Sequence, residues 1–307
     1  MSLPPYPWSN LADELGITSL GVARIKPVDA AEAIRYGKWI ADGCHGDMAY
    51  LERNNTVRQN PALLLPGARS IIVATFNYLP SHLQSPDVPQ FAYYAYGRDY
   101  HEVVRERLTR LAEAVKDAHG GETRVCVDTA PLLERYWAQE AGVGFRGTNS
   151  QLILPGKGSY FFIGTILTTA ALTPSKPCRQ SCGDCQACVR ACPAGAIKGD
   201  GTIDAKRCLS YLTIEYRGEL PDDSKLDNRI YGCDVCQRVC PHNRDAKPTK
   251  IAEFTPSPEF LSLDRESLAS LTPERFSTIF RHSAVKRTKL SGLLRNLNFL
   301  ITHKGKS

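Results

Sequence analysis

Residues 182–193 read C-G-D-C-Q-A-C-V-R-A-C-P, and residues 233–241 read C-D-V-C-Q-R-V-C-P. The first run sets Cys182, Cys185, Cys188 and Cys192 at spacings x2, x2 and x3 and closes on Pro193. The second carries Cys233, Cys236 and Cys240, closes on Pro241, and has Cys208 standing alone upstream. A C-x2-C-x2-C-x3-C-P run is the pattern of two-cluster bacterial ferredoxins, in which the fourth cysteine ligates the other cluster. Three close cysteines wrap one face of a cubane, while the fourth, carried on by a turn and a proline, reaches across. The spacing therefore predicts one [4Fe–4S] cluster on Cys182, Cys185, Cys188 and Cys240. A second is predicted on Cys192, Cys208, Cys233 and Cys236. Structural zinc also uses C-x2-C pairs, but it has no use for three cysteines at x2, x2 or for a trailing Cys-Pro in both runs. The pattern points to electron transfer. Of the eleven cysteines, Cys44, Cys126 and Cys178 remain, and these read as buried or incidental thiols.

At 307 residues the chain is long enough for one large core and a smaller module. The longest apolar run, from Tyr160 to Leu172, is too short and too Thr-rich to span a bilayer, which needs about 20 residues. The opening M-S-L-P-P-Y-P-W lacks the charged and apolar regions of a signal peptide. Cysteines that must bind iron as thiolates are lost to disulfides in an oxidising compartment, so a cytoplasmic protein without a membrane partner is expected. The net charge of +6 is unevenly placed. From Arg275 to Ser307 there are eight Lys or Arg and no Asp or Glu, which leaves 30 basic and 32 acidic residues elsewhere. A one-signed cationic end on a near-neutral body suits a polyanion such as nucleic acid, or is a solvated tail.

Residues 1–173 read as a layered α/β or α+β domain. Candidate strands are Thr18–Arg24, Ser70–Phe76, Thr123–Val127 and Tyr160–Thr168. Between them, Glu102–His119 carries Val104, Leu108, Leu111, Ala112 and Val115 at helical spacing and stops at Gly120. A second helix is predicted from near Pro131 to Gly142. Thr173–Pro177 (T-P-S-K-P) reads as a linker into a ferredoxin-like two-cluster module at 178–245. A short, basic, helical segment at 255–307 follows, with T-P-E-R at 272–275 as a helix start. No G-x-G-x-x-G follows a strand and no P-loop occurs, so nucleotide binding is not expected. A bare ferredoxin needs only the module; the 173 residues before it must give or take the electrons.

Four stretches identify what does so: G-R-D-Y-H (97–101), V-D-T-A-P-L-L-E-R (127–135), C-L-S-Y-L-T-I-E (208–215) and N-R-I-Y-G-C-D-V-C-Q-R-V-C-P (228–241). They closely resemble epoxyqueuosine reductases, and the resemblance runs from about Leu11 to Asn296. It implies a cobalamin- and iron–sulfur-dependent oxidoreductase, related to reductive dehalogenases. Such an enzyme reduces the epoxide of epoxyqueuosine to queuosine at the wobble position of tRNA. The reaction needs electrons and a strong nucleophile that side chains do not supply, so a cofactor carries the hard step. The chain has no D-x-H-x-x-G motif, because D-Y-H-E-V-V at 99–104 lacks the Gly. A corrin is therefore expected without a histidine ligand of that kind.

The resemblance also distributes roles. Asp128 matches the proton donor; over an apolar corrin face its pKa would be raised, keeping a proton available. Read from its neighbours alone, Asp128 before a Pro-started helix is a helix cap. Asp99 with Glu102 resembles a capping box. By family position Arg58, Asp99, His101, Ser210, Tyr211, Asp234, Val235 and Gln237 lie beside the cofactor. Lys286, Arg287, Lys289 and Arg295 are the expected tRNA contacts. Many relatives continue into a helical-repeat domain, so that part of the tRNA footprint is expected to be missing here. The implied partners are tRNA and an external flavodoxin- or ferredoxin-like electron donor, with the protein a monomer. A reductive dehalogenase acting on a small halogenated compound is the rival reading, and a non-catalytic electron carrier a second.

Overall fold

The computed structural model describes residues 6–303, so Lys304, Lys306 and the first five residues lie outside the described residues. Four strands form one sheet in the order Ile17–Arg24, Ser70–Asn77, Phe161–Thr168, Thr123–Cys126. These are the four strands expected from β-branched runs, each within a residue of its expected bounds. Every pairing is antiparallel, with Val22 opposite Ile72, Val73 opposite Thr165 and Val125 opposite Ile166. The domain is thus α+β rather than built on a parallel sheet. The second strand, S-I-I-V-A-T-F-N, is buried on all but its last residue because helices cover both faces. On one face the long helix Tyr100–His119 lays down Val104, Leu108, Leu111 and Val115, the residues singled out by their spacing. Gly164 lets that helix approach, since a Cβ there would sit 2.4 Å from Leu108. Gly120, at φ 69°, ends it as expected. On the other face the helix Glu134–Glu140 buries Trp137 and Ala138.

That second helix begins at Glu134, three residues later than Pro131. Asp128 has a left-handed φ of 53°, and the Leu132 N–H closes a tight turn onto Ala130 O. A non-helical turn of this kind displaces the first helical residue beyond the proline. Thr173–Pro177 is also more than a spacer. Ser175 donates its N–H to Val22 O and its hydroxyl accepts the Val22 N–H at 3.0 Å, so the segment covers the sheet edge formed by Ile17–Arg24.

In the cluster-bearing segment, the helices Ala187–Ala191 and Val235–Arg238 pack on each other, each within one of the cysteine runs. The C-terminal helices Pro258–Leu261, Arg265–Ala269, Pro273–Ile279 and Lys289–Thr302 enclose Phe260, Leu268, Phe280, Leu293 and Leu297. Thr272 caps the third of them by accepting the Arg275 N–H, as T-P-E-R predicts. The same core holds Phe91, Tyr96, Leu212, Ile230 and Tyr231, and the strand Gln90–Phe91 pairs in parallel with Arg229–Tyr231. Asn296, fully buried, donates to the carbonyls of Thr213 and Ile230 at 2.8 Å each. The basic end is therefore a wall of the molecule rather than a solvated tail.

Candidate active site and cluster centres

None of the eight cysteines of the two runs is in a disulfide, and their mutual electrostatics sort them into two sets. Burial pushes the Cys240 thiol up, and the charges of Cys182 and Cys185 push it further. Cys188 is raised by burial and then by Cys182 and Cys240. In the other set, Cys208 feels Cys192, Cys233 feels Cys208, and Cys236 feels Cys233 and Cys208. Cys240 therefore lies with the first run, although Cys236, only four residues away, lies with Cys208. Cys236 also feels Cys188, so the two sets are neighbours. Four thiols per set is the donor chemistry of a [4Fe–4S] cubane, and thiols raised by burial are released as thiolates only when metal takes the proton's place. Backbone N–H groups attend them: Ala196 N–H points at Cys192 Sγ (3.3 Å) and Thr148 N–H at Cys182 Sγ (3.4 Å).

The first residues of the long helix and the turn after the Thr123–Cys126 strand meet at Asp128. Asp99 caps the helix by accepting the His101 N–H at 3.0 Å, and the same oxygen lies 2.7 Å from His101 Nδ1. Glu102 turns away to Arg98, so the expected capping box does not form. His101 Nε2 lies 3.2 Å from Asp128 Oδ2, which also accepts the Tyr100 hydroxyl at 2.9 Å. The result is a chain, Asp99–His101–Asp128, that runs outward: the side chains are 25, 32 and 58% exposed. Asp128 caps no helix. Its carboxylate faces Tyr50, Tyr94 and Arg287, on each of which its charge acts.

The proton sits elsewhere than expected. Desolvation by the surrounding walls pushes Asp128 up, but the hydrogen bond and charge of His101 and the Tyr100 hydroxyl outweigh it and hold the carboxyl below its usual range. Desolvation lowers His101, but Asp128 and Asp99 on either side carry it up to about 9 from the usual 6.5. At neutral pH the chain thus holds one proton, on the imidazole, between two carboxylates. Because the folded value lies above the unfolded one, these ion pairs stabilise the fold fully below about pH 6.5 and are lost as pH rises through about 9. Turnover that draws on this proton should fall over the same rise, and His101→Gln should abolish that limb of the kcat profile. A wild-type profile flat across the rise would exclude the imidazolium as the proton store.

The other residues assigned by family position divide. Arg58 is 8% exposed, reaches Tyr50 O only at 3.4 Å, and has a buried Nε without a hydrogen-bond partner among the described residues. His45 Nδ1 is likewise buried and unpartnered. Polar atoms in this state call for a further group, which fits a polar-rimmed cofactor beside the 44–58 segment. This segment docks on Tyr211, whose hydroxyl accepts the Asp47 N–H at 2.9 Å. Gly46, at φ 61°, makes the contact, since a Cβ there would meet the Tyr211 ring at 2.6 Å. Ser210 and Val235 serve the thiols. Burial raises Cys208 against hydrogen bonds from Ser210 and the Tyr211 N–H, and Cys233, pushed up to about 11 by burial, is eased by the Val235 N–H.

The side chains of Asp234 and Gln237 are buried and hydrogen-bonded to residues of the first 173. Asp234 accepts the Tyr93 N–H at 2.7 Å, and burial pushes it up to about 6. Gln237 Nε2 donates to Ser159 O at 2.9 Å and to the Tyr78 hydroxyl.

Two of the expected tRNA contacts are engaged within the chain. Arg295 directs its guanidinium to the carbonyls of Leu212, Tyr216 and Gly218 and to Asn296 Oδ1, so no donor is left for a phosphate. Arg287 forms a two-pronged pair with Glu215 at 2.8–2.9 Å and lies over the Tyr50 ring at 5.9 Å, making it part of the wall facing Asp128. Lys286 and Lys289 are exposed. Tyr100 and Glu134 were missed as functional groups although both lie within the quoted stretches. Tyr100 stacks on Phe162 with centroids 4.3 Å apart and so passes for a core aromatic. Glu134 reads as an ordinary first-turn acid, yet it accepts the Asp128 N–H at 2.9 Å.

Two adjacent four-cysteine sets and a proton-holding chain are the parts of an iron–sulfur oxidoreductase. A family model described as "Epoxyqueuosine reductase QueG, DUF1730" matches residues 58–129, and one for a "4Fe-4S double cluster binding domain" matches 181–243. Epoxyqueuosine reductase of Cellulophaga algicola is 39% identical over 94% of this chain and 95% of its own length. That of Vibrio cholerae is 38% identical over 93% of this chain and 79% of its own. Among solved structures, the Streptococcus thermophilus epoxyqueuosine reductase superposes with a TM-score of 0.87 at 29% identity, covering 96% of this chain and 80% of that one. One solved with a tRNA-Tyr epoxyqueuosine-modified stem loop gives 0.84 at 31% identity over the same shares. The chain belongs to the epoxyqueuosine reductase family. It is an iron–sulfur oxidoreductase with a segment that binds two [4Fe–4S] clusters.

Proposed function

We propose that this protein reduces the epoxide of epoxyqueuosine to queuosine at the wobble position of tRNA. The single observation that carries the reading is the outward-running Asp99–His101–Asp128 chain, placed beside a double-cluster module in a chain of this family. Removing the epoxide oxygen to leave an alkene takes two electrons and two protons and releases water. Cobalamin, when bound, supplies the strong nucleophile that opens the ring. Arg58, His45 and the Tyr211-docked loop are the residues that would hold it.

The protein's own part is to orient and to manage protons. Asp128 presents its carboxyl to the departing oxygen and refills from His101 Nε2, while Asp99 fixes the imidazole by holding Nδ1. Tyr50, Tyr94 and the Arg287–Glu215 pair wall the place and limit water. Cys182, Cys185, Cys188 and Cys240 hold one cluster and Cys192, Cys208, Cys233 and Cys236 the other. In this reading the second set, which includes Cys233 close in sequence to Tyr231, is the nearer to the reaction site. Electrons from a flavodoxin- or ferredoxin-like donor then enter at the first set and leave through the second. Residues 1–173 hold the reaction site, 178–245 the clusters and 255–307 the basic wall, in a cytoplasmic monomer. Among the described residues no helix is long and apolar enough to cross a membrane.

Lys286 and Lys289, exposed beside Arg287, are the phosphate contacts in this reading. Replacing both by Ala should weaken all accepted tRNAs evenly and flatten the salt dependence by about 0.7–0.9 per lost contact. Reduction of saturating tRNA should be unchanged; unaltered affinity and slope would remove these lysines from the interface. The function itself is tested by giving reduced, cobalamin-loaded protein an epoxide-bearing anticodon stem loop and, separately, a halogenated phenol. Deoxygenated nucleoside without halide release is expected. Halide release with an untouched nucleoside would instead establish the dehalogenase reading.

A further inference from the structure

We infer that Glu134 is the positioning residue of the site: its carboxyl pins the Asp128 turn and so fixes where the proton is presented. The inference rests on the reading of Asp128 as the proton donor. Asp128 lies two residues past the end of the Thr123–Cys126 strand, in the left-handed region at φ 53°. For a residue other than glycine that backbone is disfavoured, somewhat less so for Asp, so something must hold it. Among the described residues, the turn behind Asp128 is closed by tight local bonds, from the Thr129 N–H and hydroxyl to Val127 O and from the Leu132 N–H to Ala130 O. The Asp128 N–H itself is held by Glu134 Oε1 at 2.9 Å.

Glu134 is well placed for this. It opens the Glu134–Glu140 helix, which is bolted to the sheet by fully buried Trp137 and Ala138, so the pin stands on a rigid base. The charged and titratable groups around it are Asp128 on the turn, Arg135 on its own helix, Tyr100 and His101 on the long helix and Cys126 on the strand. Desolvation and the charge of Asp128 push the Glu134 carboxyl up to about 8, so at neutral pH it is mainly the acid. A neutral pin holds the turn without setting a second negative charge against Asp128 to compete for the His101 proton. Glutamine has the same shape and the same acceptor; alanine has neither, and aspartate falls one methylene short.

The test compares Glu134→Gln, Glu134→Asp and Glu134→Ala in cluster-replete, cobalamin-loaded protein. The first readout is backbone amide exchange in a peptide spanning 127–133, and the second is kcat and KM with an epoxide-bearing stem loop. Glu134→Ala and Glu134→Asp should speed exchange and lower kcat by about 10–100-fold, the scale of a reacting group misplaced by an ångström, with KM little changed. Glu134→Gln should keep both near the wild-type values. Unchanged exchange in the alanine and aspartate variants would overturn the pin, as would a glutamine variant as slow as the alanine one. Faster exchange in the alanine variant, beside a wild type that leaves the epoxide intact, would uphold the pin and sink the proposed function.

Discussion

Asp128→Asn should give a folded protein with its cofactors bound and turnover lowered by about 10²-fold or more, the scale of a positioned acid. Asparagine tolerates the left-handed backbone that Asp128 adopts, and its amide oxygen still accepts the Tyr100 hydroxyl seen at 2.9 Å. What it cannot do is take a proton from His101 Nε2 and pass it on. Because Asp128 caps no helix, the substitution should lower the thermal midpoint only by the loss of its one ion pair with His101. Near-normal turnover with lost stability would reduce Asp128 to a structural role. The depressed pKa sharpens the point. A carboxyl holding its own proton would work independently of His101, whereas one that refills from the imidazolium should fail in His101→Gln as well.

Cys240→Ala should strip the cluster shared with Cys182, Cys185 and Cys188, although more than fifty residues separate Cys240 from the nearest of them. Iron and acid-labile sulfide should drop from about eight each per chain to about four, and the remaining cluster signal should belong to the Cys192, Cys208, Cys233 and Cys236 set. The electrostatic neighbours of Cys240 are Cys182 and Cys185, while its sequence neighbour Cys236 answers to Cys233 and Cys208. Loss of the Cys233 cluster with the other intact would show that the ligands are not crossed. Turnover should fail in either case, since both clusters lie on the electron path.

Periodicity made the sheet and the long helix legible. Val104, Leu108, Leu111 and Val115 recur at helical spacing because they face one sheet, and the β-branched runs are strands because both sheet faces are covered. The cluster ligands were legible for a different reason: cubane geometry restricts cysteine spacing so tightly that few other sites share it. The helix boundary at Glu134 was not, because a single left-handed residue at Asp128 breaks a pattern that Pro131 otherwise supports. Charge was the least informative signal. Lys286, Arg287, Lys289 and Arg295 look alike in a sequence, yet Arg295 is consumed by three carbonyls and an Asn while Lys286 and Lys289 stand exposed. The location of the proton was equally hidden, since it depends on two carboxylates, Asp99 and Asp128, reaching one imidazole from positions 29 residues apart.

The claim that electrons from two clusters remove an oxygen from a tRNA base is tested most directly by counting both in one vessel. Anaerobic, cobalamin-loaded protein, fully reduced and freed of excess reductant, is mixed with a limiting amount of epoxide-bearing stem loop, and the nucleosides are then weighed. Two electrons should leave the protein for each nucleoside that becomes one oxygen lighter. Electrons retained with the epoxide unchanged, or oxidation without a lighter nucleoside, would contradict that claim.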